Sequence, residues 1–135
     1  MLMPIQRSVV VVDANPEDRS RTVQLLQAAG FRVTSTADFD EAKKLIASEG
    51  PDLLITDLRL GSYNGLHLIL RSRCDHPEMA ALVMSRYPDP VLEAEARRQN
   101  ARFLLKPLHD VDLLDAITGV LPTPAQTEPS IGSAP

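Results

Sequence analysis

Apolar residues in this chain fall into five short runs, and between the runs they recur every three or four positions. Ser8 to Val12 carries four consecutive valines, a β-branched run that predicts a buried strand. Phe31 to Thr36 alternates apolar and polar residues, as a strand nearer a sheet edge does. Asp52 to Asp57, Ala81 to Met84 and Ala101 to Leu105 supply three more short apolar runs. The intervals between runs predict helices. Asn15-Pro16-Glu17-Asp18 is an N-cap followed by proline and two acids, so a helix to Ala29 should bury Val23, Leu26 and Ala29, with Gly30 stopping it. Asp38 and Glu41 resemble a capping box ahead of a helix that buries Ala42, Leu45 and Ile46 and ends at Gly50-Pro51. Leu66 to Cys74 should bury Leu66, Ile69 and Leu70. Pro88-Asp89-Pro90 opens a polar helix with a thin apolar face, predicted to be loosely held. The last helix, Asp110 to Leu121, should bury Val111, Leu114, Ile117 and Val120 or Leu121. Leu58 to Gly65 is rich in turn formers and reads as a loop. Five strands alternating with five helices predict an α/β fold, a doubly wound five-stranded parallel sheet with right-handed crossovers and helices on both faces.

Length and composition narrow the reading. A chain of 135 residues suits one hydrophobic core, with a short N-terminal extension over 1–7, the folded domain over 8–121 and a disordered proline-rich tail over 122–135. The net charge of -4 gives no general attraction to nucleic acid or anionic membrane, and neither is expected as a partner. A single cysteine, Cys74, excludes an internal disulfide and a cysteine-based zinc cluster, and suits a reducing cytoplasmic location. No signal peptide and no membrane span are evident. His67 has no second ligand at helical spacing, and Arg71, Arg73, Arg97 and Arg98 read as solvated helix faces because no aromatic residues interleave them.

The candidate chemistry lies where the apolar runs stop. Three central strands end in Asp13, Asp57 and Ser85, and a fourth ends in Lys106. In a doubly wound sheet those ends share one edge, the edge that carries ligand crevices. Two neighbouring carboxylates call for a hard cation with oxygen ligands, most simply magnesium. A lysine and a hydroxyl beside them can hold an anionic group arriving at Asp57. An acid, a cation site, a hydroxyl and a lysine are the parts of an aspartyl-phosphate site.

On Val-Val-Val-Val-Asp13, Asp-Leu-Leu-Ile-Thr-Asp57 with Gly65 eight residues on, Leu-Val-Met-Ser85, and Asn-Ala-Arg-Phe-Leu-Leu-Lys106-Pro107, the chain resembles the receiver domains of bacterial two-component response regulators. The resemblance covers about residues 8–121 and implies a flavodoxin-like, receiver-type fold. It implies Asp57 as phosphoacceptor and Asp13 in the acidic pocket at magnesium, with the backbone carbonyl of Arg59 as a further metal ligand. It implies Ser85 as the switch hydroxyl, Phe103 as the switch aromatic, and Lys106 as the pocket lysine before a cis proline. Arg59 and Tyr87 would flank the phosphoryl group and tune its hydrolysis. Phe103 alternates with Arg102 and Leu104, so half-buried strand packing is an equal reading of it.

The chain departs from the family at Ala14, where a second acid normally ligates magnesium directly. Asn15 and Glu17 are nearby oxygen donors. Gly61, where many relatives carry proline, is a milder departure.

Three functions compete. The first is a stand-alone, non-enzymatic receiver that takes a phosphoryl group from a sensor histidine kinase or phosphotransfer protein and signals to a downstream protein by contact. The second is a degenerate receiver that serves as a phosphorylation-independent docking module. The third is a flavodoxin-type or small hydrolytic protein. The acidic Asp13-Ala-Asn-Pro-Glu-Asp segment would repel a flavin phosphate, and Arg59 stands where an aspartyl hydrolase wants a second acid.

Overall fold

The computed structural model describes residues 6–122. The segments 1–5 and 123–135, and with them most of the expected tail, lie outside the described residues. The elements run β1 Ser8–Val12, α1 Pro16–Ala28, β2 Arg32–Thr36, α2 Phe39–Glu49, β3 Leu53–Asp57, β4 Arg59–Leu60, β5 Tyr63–Asn64, α3 Gly65–Asp75, β6 Ala80–Ser85, α4 Pro90–Arg98, β7 Arg102–Leu105 and α5 Asp110–Val120. The main sheet has five parallel strands in the order β2-β1-β3-β6-β7. The doubly wound α/β fold expected from the alternating pattern is the fold observed.

The three central strands are buried along their whole length, because helices cover both faces. Strand side chains alternate between faces, so the core splits in two. Val10, Val12, Leu54 and Val83 meet helices α2, α3 and α4 through Ile46, Ile69 and Ala96. Val9, Val11, Ile55 and Leu82 meet α1 and α5 through Leu26, Leu113 and Ile117. Each such apolar side chain contributes roughly 1.5–3 kcal/mol when it is fully buried.

Two helix starts follow the capping signals of the sequence, at Asn15 and Asp38. The side chains of Asn15, Asp38 and Asp89 each accept a backbone N–H of their helix's first turn. Gly50 closes α2 in the left-handed conformation at φ +55°.

The structure corrects several expected details. Leu58 to Gly65 is not an open loop: β4 and β5 form a small antiparallel hairpin. Tyr63 of that hairpin stacks on Phe39 of α2, with ring centroids 4.4 Å apart. Leu70 is exposed, and Leu68 is buried in its place. The buried arc of α3 is rotated toward α2, which packs beside it. Val111 is exposed while Leu113, Ala116 and Ile117 are buried. A stripe counted from Val111 starts on nearly the opposite side of α5 from Leu113, so its phase is wrong. Ala29 is exposed and caps α1, which buries Thr22 and Leu26. Helix α4 does have a thin apolar face, with only Ala96 buried. The turn that follows it is tied to α3, because the Arg73 guanidinium donates to the carbonyls of Gln99, the C-cap, and Asn100.

Candidate functional site

The parallel sheet delivers Asp13, Asp57, Ser85 and Lys106 to one edge, at the carboxyl ends of β1, β3, β6 and β7. Asp57 is the last residue of β3 and is nearly buried. The chain beyond it is pinned on both sides. The Leu58 N–H donates to the Met84 carbonyl at 2.7 Å, and the Gly65 N–H donates to the Leu58 carbonyl at 2.7 Å. A Cβ on Gly65 would stand 2.1 Å from the Asp57 carbonyl oxygen. Only glycine lets α3 begin this close to the strand end.

The carboxylates are held from several directions. Asp57 Oδ2 accepts the Ala14 N–H at 3.0 Å. Asp13 Oδ1 accepts the Asn15 N–H at 2.9 Å. Lys106 Nζ stands 2.9 Å from Asp13 Oδ2, 2.9 Å from Asp57 Oδ1 and 3.2 Å from Asp18 Oδ2. The contact with Asp57 Oδ1 is an ion pair without an aligned hydrogen bond. Lys106 is anchored by its own N–H, which donates to the Ser85 carbonyl at 2.8 Å, and the following peptide to Pro107 is cis.

Burial and charge pull against each other here. Desolvation raises the Asp13 carboxyl to about 6, in spite of hydrogen bonds from Lys106 and the Asn15 amide that favour the anion; the Asp57 charge adds to the rise. Burial alone would lower the pKa of Lys106, but Asp57 and Asp13 outweigh it and raise the ammonium above its usual value. The lysine is therefore a fixed positive charge at any ordinary pH.

A cleft of about 200 Å³ opens beside Asp57, bordered by Ala14, Arg59, Ser85, Arg86, Tyr87 and Lys106. The Ser85 hydroxyl donates to the Tyr87 carbonyl at 2.8 Å and accepts the Tyr87 N–H at 3.1 Å. Arg59 is exposed on β4, and the Tyr87 side chain is largely in solvent. Phe103 stands apart from this group. It pairs with Val83 in register and packs half-buried against the core shared with α4.

The donor chemistry fits a hard divalent ion. Asp57 Oδ1 is a buried oxygen with no aligned hydrogen-bond donor, Asp13 is adjacent, and both are carboxylates of the type magnesium prefers. Among the described residues no group of three acidic, histidine or cysteine side chains converges as a metal site. Position 14 is an alanine and supplies no third carboxylate beside Asp13 and Asp57.

Two residues of the site escaped the sequence reading. Asp18 sits in the first turn of α1, where it read only as a partner of the helix dipole. Its Oδ2 touches Lys106, and it also accepts a hydrogen bond from the Arg86 guanidinium at 2.6 Å. The N-cap at Asn15 was the available signal, because it fixes Asp18 as the third residue of α1. Nothing local marks Arg86 as its partner.

Comparison with known proteins identifies the family and the fold. A model of the response regulator receiver domain matches residues 9–118. The DNA-binding transcriptional regulator NtrC of Salmonella typhimurium is 29% identical over 109 residues, which are 80% of this chain and 23% of that protein. The positive alginate biosynthesis regulatory protein of Pseudomonas aeruginosa is 29% identical over 113 residues, covering 82% of this chain and 45% of the relative. The chain thus spans about a quarter of NtrC and under half of the alginate regulator. Among solved structures, chemotaxis protein CheY4 of Vibrio cholerae matches with a TM-score of 0.80 at 23% identity, over 87% of this chain and all of that one. A CheY-like receiver domain protein from Methanospirillum hungatei matches with a TM-score of 0.80 at 22% identity, over 85% and 93% of the two chains. At that identity the two structures establish the fold.

Proposed function

Because this chain belongs to the response regulator receiver domain family, and so to phosphorelay signalling, we propose that it is a receiver phosphorylated on Asp57. The donor is the phosphohistidine of a sensor histidine kinase or phosphotransfer protein, and the output is contact with a downstream protein. The single observation that carries this reading is the placement of Asp57. It lies at the end of the central strand, facing a cleft, 2.9 Å from a lysine that Asp13 also holds.

In the transfer, an Asp57 carboxylate oxygen attacks phosphorus in line with the departing nitrogen. The P–N bond breaks with its electron pair going to the imidazole, a P–O bond forms, and no proton needs to move at Asp57. The Ala14 N–H holds Oδ2 and so orients the attacking group. Lys106 stays in place and balances the charge that accumulates on the phosphoryl oxygens. Ser85 can exchange its contact with the Tyr87 carbonyl for one with a phosphoryl oxygen, which would release the backbone after β6. Phe103, which packs beside that strand, is the side chain able to follow this movement. Arg59 and Tyr87 flank the cleft and would govern the approach of water. Magnesium, which receivers of this fold typically bind, would be held by Asp13, Asp57 and the Arg59 carbonyl and would supply positive charge against the phosphoryl oxygens.

Ala14 favours a second reading, a docking module that has lost phosphorylation. Acetyl phosphate with magnesium separates the two. The wild type should gain one hydroxylamine-sensitive phosphoryl group by intact mass, and Asp57→Asn none. No adduct on the wild type, even at high magnesium, would overturn the phosphoacceptor reading and favour the docking module.

A further inference from the structure

Three cations border the cleft at Asp57: Lys106 is locked, Arg86 is held by a partly exposed carboxylate, and Arg59 stands exposed on β4. Lys106 is nearly buried and faces the carboxylates of Asp13 and Asp57 at 2.9 Å each. Withdrawing it from either would strand a buried charge. Arg86 is different. Its side chain is 49% exposed, and Asp18, its carboxylate partner among the described residues, is itself 32% exposed and shared with Lys106. A half-exposed ion pair of this kind holds only weakly, so a stronger anion can compete for the guanidinium.

We infer that Arg86 is a direct ligand for the phosphoryl group on Asp57, held at the rim of the cleft by Asp18 until that group arrives. This deepens the reading of Asp57 as phosphoacceptor and rests on it. Arg86 already borders the cleft together with Asp57. The links from Arg86 to Asp18, Asp18 to Lys106 and Lys106 to Asp57 measure 2.6, 3.2 and 2.9 Å, so the guanidinium starts within a few contacts of the acceptor oxygen. Phosphorylation replaces a monoanion by a group of about −1.5 to −2 charge with three acceptor oxygens. A planar guanidinium matches such oxygens two at a time, which a carboxylate shared with Lys106 does not offer. The exchange also addresses the departure at Ala14. With one anionic metal ligand fewer, the cleft binds a divalent ion less tightly. A guanidinium supplied by the protein makes up part of the missing positive charge. Asp18 is then a positioning residue, and it competes with the phosphoryl group for Arg86.

The test uses beryllofluoride as the phosphoryl mimic on the full chain, titrated calorimetrically at low and at saturating magnesium. Arg86→Ala should weaken binding about tenfold at low magnesium, as expected for a lost charge-assisted pair. The variant should also need more magnesium for half-saturation, a readout that general loosening of the fold does not move. Arg86→Lys should lie between the two, because it keeps the charge and loses the fork. Asp18→Asn should bind at least as tightly as wild type, because the competing carboxylate is gone. The inference is overturned if Arg86→Ala matches wild type in both affinity and magnesium requirement. It is equally overturned if Asp18→Asn weakens binding as much as Arg86→Ala does, since the pair would then only support the cleft. A wild type that binds no beryllofluoride at saturating magnesium is a separate result. It removes the phosphoacceptor reading and this inference with it.

Discussion

Asp13 is completely buried, and its carboxyl is raised to about 6 chiefly by that burial. A folded-state value above the unfolded one means that the native state holds its proton more tightly. The resulting stability is fully present below about pH 4 and is lost as the pH rises through 6. Asp13→Asn removes this titration. Without metal, its stability relative to wild type should therefore climb between pH 4 and pH 7, by on the order of 3 kcal/mol. Urea unfolding of both proteins across that range measures the difference, and a flat or falling difference would show that Lys106 fully compensates the charge. The neighbouring position makes the opposite trade. Ala14→Asp adds an anionic oxygen where the family carries a direct ligand, and it should tighten magnesium at least about tenfold, equivalent to ~1.4 kcal/mol. The same substitution crowds three carboxylates, so the metal-free variant should be less stable than wild type. Magnesium titration followed by thermal shift covers both halves. An unchanged affinity would mean that Asn15, Glu17 or water already fills that ligand position. Asp13, Asp57, Ser85 and Lys106 could be placed from the sequence because each ends an apolar run, and a parallel sheet brings run ends to one edge. Asp18 and Arg86 could not, because their contact joins residues 68 positions apart and neither ends a strand.

Helices α3 and α5 show how far periodicity carries at the level of elements. Both were legible as amphipathic helices, yet Leu70 and Val111 proved exposed. A stripe of apolar residues gives the pitch of a helix, but its rotation is set by the neighbours it packs on. The cap signals did better at Asn15 and Asp38, because a cap depends on a few adjacent residues and on nothing distant. The junction of β3 with α3 depends on a contact no pattern announces, the approach of Gly65 to the Asp57 carbonyl. Gly65→Ala places a methyl group against backbone that cannot rotate away. It should destabilise the fold by roughly 1–3 kcal/mol, the usual cost of overpacking. It should also slow the proposed phosphorylation by acetyl phosphate, because relief of the clash displaces the strand end that carries Asp57. A loss below about 0.5 kcal/mol in urea unfolding, the range of ordinary surface changes, with an unchanged phosphorylation rate, would show that the junction has slack.

Across the whole molecule, the alternation of short apolar runs with longer periodic stretches was enough to indicate a parallel doubly wound sheet. Each central strand is apolar at consecutive positions, which only a sheet covered on both faces tolerates. The five-strand sheet is therefore the shared wall of two cores, and neither core closes without it. Leu54 belongs to the core under α2, α3 and α4, and Leu82 to the core under α1 and α5. Both are fully buried. Leu54→Ala and Leu82→Ala should each cost about 2–5 kcal/mol. A loss of that size is a large part of the roughly 5–15 kcal/mol that holds a domain together. Because the strands are common to both cores, each variant should unfold in one transition. Native-state hydrogen exchange should then show protection falling together in α1 and α5 and in α2 and α3, whichever core is cut. If Leu82→Ala loosened only α1 and α5 and left α2 and α3 at wild-type protection, the two layers would be separable. The strand ends that carry Asp13, Asp57 and Ser85 would then report on one face alone, and the site would not couple the two faces of the sheet.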